Sequence, residues 1–148
     1  MEHRITIVDD EVEVCSALRR LFKAAGMKTQ SYASAEDFLD ALSGYRCDCL
    51  ILDCGLPGMS GLELQSRLAA SHRRFPIIFV SARDDVHTRA QAMQAGALAF
   101  FGKPFSDEVL RELFKRHYSW PDIRHGDRDN GTSASFKHIY GLHCSDLS

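Results

Sequence analysis

Short apolar runs alternate with amphipathic stretches along most of this chain. Ile5 to Val8, Cys49 to Leu52, Ile77 to Val80 and Ala97 to Phe101 have the length and continuity of buried strands, and Lys28 to Tyr32 reads as a fifth, weaker one. Between them the period changes to that of a helix. Val12, Cys15, Leu18, Leu21, Phe22 and Ala25 fall on one face of a first helix that Gly26 closes, with Arg19, Arg20 and Lys23 off that face. Ser34 to Asp37 caps a second helix, whose Phe38, Leu39 and Leu42 face inward. Leu56 to Met59 is a turn, and Ser60-Gly-Leu-Glu63 is a capping box that opens a third helix to about Ser71. A fourth helix is predicted from about Asp85 to Ala95, stopping at Gly96. Ser106 caps a fifth, with Val109, Leu110, Leu113 and Phe114 on its buried face.

Five strand–helix units in alternation predict an α/β fold with a parallel sheet, helices on both faces and right-handed crossovers. Of the doubly wound arrangements, a flavodoxin-like (βα)5 sheet with strand order 2-1-3-4-5 suits five strands, and its topological switch point lies between strands one and three. Ligands of such sheets bind outside the carboxyl ends of the strands. Polar residues stand there: Asp9 and Asp10 after strand one, Asp53 after strand three, Ser81 after strand four and Lys103 after strand five. Three carboxylates brought together repel unless a cation is present. This grouping calls for a divalent metal and a phosphoryl group.

Composition changes the picture little. The 148 residues are 45% hydrophobic and 26% charged, which suits one soluble globular domain. The net charge of -2 and the lack of a basic block argue against direct nucleic-acid binding. No apolar run is long enough to span a bilayer, and MEHRITIV lacks the apolar core of a signal peptide. The five cysteines fit neither a zinc site nor a disulfide framework, so a reduced, cytoplasmic protein is expected. From Tyr118 the pattern is lost. Residues 1–118 are read as the domain and 119–148 as an irregular tail, in which His138, His143 and Cys144 form only a weak metal-binding signal.

The motifs VDDE, ILDCGLPGMSG, IIFVSA and GALAFFGKPF, weak singly and specific together, make residues 4–117 similar to the receiver domain of two-component response regulators. The last motif resembles the FixJ-type branch, whose members usually continue into a LuxR-type helix-turn-helix domain. Nothing after Trp120 resembles one, so a stand-alone or truncated receiver without a recognisable output domain is expected.

The resemblance implies a role for each residue. Asp53 is the phosphoacceptor, taking a phosphoryl group from a phosphohistidine of a sensor histidine kinase; a carboxylate is a competent nucleophile for this. Asp10, with Asp9 behind it, holds Mg²⁺ together with Asp53 and the backbone carbonyl of Gly55. Asp10 can also be read as a helix N-cap, supported by Glu13, and Glu11 falls on the helix surface. Lys103 pairs with Asp53 and then with the phosphoryl oxygens. Ser81 donates its hydroxyl to the phosphoryl group, leaving space that Phe100, at the family's switch-aromatic position, can fill. The surface of the fourth helix, fifth strand and fifth helix then changes, and it serves as the partner or homodimer interface. Positions 55 and 83 flank the hydrolytic water's line of attack; Gly55 has no side chain to shield the phosphoryl group, whereas Arg83 has one. Cys54 reads as small-residue packing ahead of a redox-sensitive thiol, and Cys47 and Cys49 as core. Arg89, Gln91 and Gln94 are candidate exposed contacts on the fourth helix.

Two rivals stand beside this reading. One is a pseudo-receiver that keeps the fold as an interaction module without phosphorylation, although every expected acid, the hydroxyl and the lysine are present. The other is a Mg²⁺-dependent phosphohydrolase using Asp53 as a turnover nucleophile. Haloacid dehalogenase-like phosphatases need a second acid two residues on, where this chain has Gly55. A non-enzymatic phosphoacceptor is the expectation.

Overall fold

The computed structural model describes residues 3–42, 47–73 and 75–118. The chain up to Lys103 forms one unit, and a second begins at Pro104. The first unit holds β1 (Arg4–Val8), α1 (Val12–Ala24), β2 (Lys28–Tyr32), α2 (Ala35–Ala41), β3 (Cys49–Leu52), α3 (Gly61–Ala70), β4 (Ile77–Ser81), α4 (Val86–Gln94) and β5 (Ala99–Gly102). The strands form one sheet in the order β2-β1-β3-β4-β5, and every pairing is parallel. The order reverses at β1, flanked by β2 and β3, so the switch point is where the alternation of the sequence predicts it.

The two-residue period of the strands divides the core. Val8, Leu50, Leu52, Ile77, Phe79 and Phe100 share one buried cluster with Phe38 of α2, Leu64 and Leu68 of α3 and Ala92 of α4. Ile5, Ile7, Cys49, Ile51, Ile78, Val80 and Phe101 alternate with these residues and are also buried. Helix α1 lies against β1 and β2 and buries Leu18, Leu21 and Phe22. The first residue of its predicted face departs: Val12 is exposed, because it opens the helix beyond the end of the sheet. Strand β2, at the sheet edge, is only half-buried, which explains its polar sequence.

Local signals set the helix starts. The Ser34 hydroxyl accepts from the Asp37 N–H at 3.1 Å. Ser60 and Glu63 form the full capping box, with reciprocal bonds of 3.1 and 3.0 Å; such a cap contributes about 1 kcal/mol. Asp85 caps α4 by accepting from the Thr88 N–H at 2.7 Å, and the Thr88 backbone and hydroxyl donors hold its carboxyl below the usual range. In the turn before α3, Gly58 has φ +74°, a conformation in which a side chain is strained. The fifth strand begins at Ala99, not Ala97; the Ala97 N–H is still engaged in closing α4, donating to the Ala92 carbonyl.

The second unit contains α5 (Asp107–His117). Asp107 and Glu108 in its first turn, and Lys115, Arg116 and His117 in its last, complement the helix dipole. Val109, Leu110, Leu113 and Phe114 are buried as the periodicity predicts. Ser106 occupies the N-cap position, but its hydroxyl makes no capping bond. The tail expected over 119–148, with His138, His143 and Cys144, lies outside the described residues.

Candidate functional site

Parallel β1 and β3 end side by side, Val8 beside Leu52, so the residues that follow them meet. Carboxylate oxygens of Asp9, Asp10 and Asp53 all lie within 4.8 Å of one another. The burial is uneven: Asp9 is 2% and Asp53 6% exposed, whereas Asp10 is open to solvent. Asp9 Oδ1 accepts from the Glu11 N–H at 2.8 Å. Its Oδ2 is buried without a directional hydrogen bond and lies 2.8 Å from the Lys103 ammonium. Asp53 Oδ1 accepts from the Gly55 N–H at 3.0 Å, and Oδ2 lies 3.3 Å from Lys103 Nζ. Both oxygens of Asp53 are therefore held, one from the backbone and one from the lysine.

Lys103 enters from the end of β5, and its N–H donates to the Ser81 carbonyl at 2.8 Å. Its ammonium also contacts Glu11 Oε1 at 2.6 Å. Burial alone would lower its pKa, but the close contacts with Asp9 and Glu11 and the charges of Asp9 and Asp53 outweigh it and hold the pKa above the ordinary lysine value. Asp9 is raised, chiefly by burial and further by the Asp53 charge, against the pull of Lys103 and the Glu11 N–H. Asp9 thus needs a counter-charge, and Lys103 stays charged beside it.

The donor set fits Mg²⁺. It is all oxygen, it carries excess negative charge, one carboxylate oxygen is buried without a directional partner, and exposed Asp10 leaves a side open to water. Asp10 is not the N-cap of α1; Glu11 holds that position, and no side chain caps the helix. The described contact of Gly55 is its donor N–H, not its carbonyl.

Ser81 is fully buried at the end of β4, next to Gly102 in the register, and its hydroxyl oxygen accepts from the Arg83 N–H at 3.0 Å. The buried Cys54 thiol is pushed up to about 12 by desolvation and by the Asp53 charge, against a hydrogen bond with Ser81. It is a packing residue at neutral pH. Cys47 and Cys49 are buried as expected; Cys47 donates its thiol to the Cys49 carbonyl. Phe100 is 2% exposed and stacks on Phe79 at 5.9 Å between centroids, so its ring already lies inside the unmodified chain.

Three participants escape the sequence patterns. Glu11 sits where helix periodicity puts it on the surface, yet its side chain reaches back to Lys103; its place directly after two clustered acids is the available signal. Gly61 lets α3 approach Asp53: a Cβ there would collide with the Asp53 carbonyl oxygen and lie 3.0 Å from Cys54 Cα. Arg89, expected from the sequence as an exposed contact on the fourth helix, is instead half-buried and contacts Phe100.

Known proteins are similar to this chain in sequence and fold. The response regulator receiver domain family matches residues 5–115. The chain is 42% identical to the response regulator protein TmoT of Ectopseudomonas mendocina, over 74% of this chain and 50% of that protein. It is 34% identical to the transcriptional regulatory protein FixJ of Bradyrhizobium diazoefficiens, over 75% of this chain and 54% of that one. A response regulator receiver protein from Burkholderia phymatum superposes with a TM-score of 0.71 at 38% identity, covering 82% of this chain and all of the other. The chain spans about half the length of the curated relatives it matches. No helix among the described residues is long and apolar enough to cross a membrane. With its sheet order, its carboxylate cluster and these relatives, the chain belongs to the response regulator receiver domain family of two-component signalling, whose members are signalling domains and not classical enzymes.

Proposed function

We propose that Asp53 accepts a phosphoryl group from a phosphohistidine of a sensor histidine kinase. An Asp53 carboxylate oxygen forms the bond to phosphorus, the phosphorus–nitrogen bond breaks, and the imidazole departs with the electron pair. Such transfers depend on positioning and charge neutralisation more than on covalent help. The observation that carries the reading is the meeting of Asp9, Asp10, Asp53 and Lys103. The Gly55 N–H and Lys103 fix the acceptor carboxylate, and Lys103 is placed to follow the charge onto the phosphoryl oxygens. Asp10, Asp53 and the Gly55 carbonyl, with Asp9 behind them, are the proposed Mg²⁺ ligands. When bound, the ion supplies neutralisation of the phosphoryl charge.

The same reading gives Ser81 and Phe100 their roles. The Ser81 hydroxyl turns to donate to a phosphoryl oxygen, and its bond from the Arg83 N–H is given up. The loop between β4 and α4 then moves, and the α4–β5 surface takes up its partner or a second copy. This is a population shift driven by a local charge contact. Residues 1–118 act as the domain, without direct contact to nucleic acid. A reducing cytoplasmic compartment suits Cys15, Cys47, Cys49 and Cys54, none of which is in a disulfide.

Incubation with acetyl phosphate and Mg²⁺, followed by intact-mass analysis, tests the proposal. Wild type should gain one phosphoryl group and Asp53→Asn none. A wild type that gains nothing is a pseudo-receiver, and multiple-turnover phosphate release from small esters points to the phosphohydrolase.

A further inference from the structure

Between Ser81 and Phe100 lies a set of contacts that nothing in the phosphoacceptor reading uses. Arg89, on the first turns of α4, makes three at once. Its Nη1 donates to the Phe100 carbonyl at 3.0 Å. Its guanidinium carbon stands 4.9 Å from the centroid of the Phe100 ring. Its Nη2 lies 2.6 Å from Asp84 Oδ1.

Asp84 is itself held in place on the other side. It packs so closely over Gly102 that a Cβ at position 102 would collide with its carboxylate. Asp84 belongs to the loop that begins at Ser81, where the Arg83 N–H donates to the Ser81 hydroxyl. The end of that loop is fixed by the Asp85 cap on α4. One planar cation therefore joins the loop carrying Ser81 to the strand carrying Phe100.

We propose that Arg89 is a positioning residue of the switch: it holds the Phe100 ring inside before phosphorylation and ties the β4–α4 loop to β5. The loop moves after Ser81 only when the Asp84–Arg89 pair opens. Lysine cannot replace arginine here, because a point charge does not pair with a carboxylate, donate to a carbonyl and stack on a ring together. What the latch controls rests on the phosphoacceptor reading; its hold on the ring does not.

The test is fluorine NMR of the unphosphorylated chain labelled with 4-fluorophenylalanine, the Phe100 signal being assigned by its loss in Phe100→Leu. In Arg89→Ala the Phe100 signal should shift toward the solvent-exposed position or split into two populations, while the Phe22 and Phe38 signals, assigned in the same way, stay in place. Arg89→Lys should show the same change rather than restore the wild-type signal. A Phe100 signal identical in wild type and Arg89→Ala overturns the proposal, as does full restoration by lysine. If Arg89→Ala does not fold, Asp84→Asn decides: a smaller shift in the same direction supports the latch, and no shift overturns it. Acetyl phosphate added to a parallel wild-type sample separates the two ideas. Failure to take up a phosphoryl group removes the phosphoacceptor reading and leaves the latch, measured without phosphate, standing.

Discussion

The Lys103 ammonium lies closer to Glu11 than to Asp53, with Nζ 2.6 Å from Glu11 Oε1 and 3.3 Å from Asp53 Oδ2. The lysine is shared among carboxylates and serves as their resident counter-charge. Lys103→Ala should therefore leave Asp9 and Asp53 facing each other with no cation. We expect a loss of about 1–3 kcal/mol in metal-free buffer, largely recovered on adding Mg²⁺, so that the variant's Tm depends on Mg²⁺ more steeply than wild type's. Thermal unfolding with EDTA and with Mg²⁺ checks this, and equal Mg²⁺ dependence in the two proteins contradicts it. Glu11→Gln, which removes a half-exposed partner, should change the phosphorylation rate by less than about fivefold, the range of a surface pair.

Asp9 bears the burial cost of the cluster. A carboxyl whose folded pKa lies above its unfolded value binds more protons when native, so its contribution to stability falls as pH rises from the ordinary 3.8 through the raised folded value. At neutral pH the charged Asp9 therefore destabilises the metal-free chain. Asp9→Asn should unfold at a higher temperature than wild type at pH 7 in EDTA. The gain should shrink as pH falls toward 4, where wild-type Asp9 takes up its proton, and added Mg²⁺ should stabilise the variant less than wild type. A lower Tm for Asp9→Asn at pH 7 contradicts the assignment.

Gly61 is a constraint on the acceptor and not on α3 alone. Alanine at this position forces the Asp53 carbonyl and the Cys54 backbone away from the helix start. A cost of about 1–3 kcal/mol is expected from overpacking against backbone, together with slower phosphorylation, because Asp53 moves with its backbone. Urea unfolding and the acetyl phosphate rate measure the two effects, and a wild-type result in both contradicts the close approach.

Cys54 should be inert despite standing next to the acceptor. With its thiol pushed up to about 12, the thiolate fraction at pH 7 is on the order of 10⁻⁵. Iodoacetamide applied to the native chain at pH 7 should leave Cys54 unmodified while labelling it rapidly in denaturant. Native labelling at a rate near that of the unfolded chain contradicts the burial argument.

The fold was legible because four of the five strands, all but the half-buried edge strand β2, are short runs buried on both faces, and the helices between them carry apolar positions at helical spacing. Strand order followed from the number of units, and the site from what stands just past the strands. The misses have physical causes. Val12 lies in phase with the α1 core face but beyond the end of the sheet, so periodicity alone overextends the face. Glu11 and Arg89 act through long side chains that reach across elements, and helix phase says nothing about such reach. Gly61 matters for the atoms it leaves room for, which no pattern in its own segment records. Phe100 is expected from its spacing to Lys103 to be the switch aromatic, but whether its ring lies in or out depends on Phe79 and Arg89, which are distant in sequence.

The most direct test asks where the phosphoryl group goes. After acetyl phosphate and Mg²⁺, borohydride reduction turns an aspartyl phosphate into homoserine, which peptide mass spectrometry locates. The account predicts homoserine at position 53 and at no other aspartate, with none formed in Lys103→Ala at matched early times. Homoserine at Asp9 or Asp10, or a phosphoryl group retained elsewhere on the chain with position 53 intact, contradicts it.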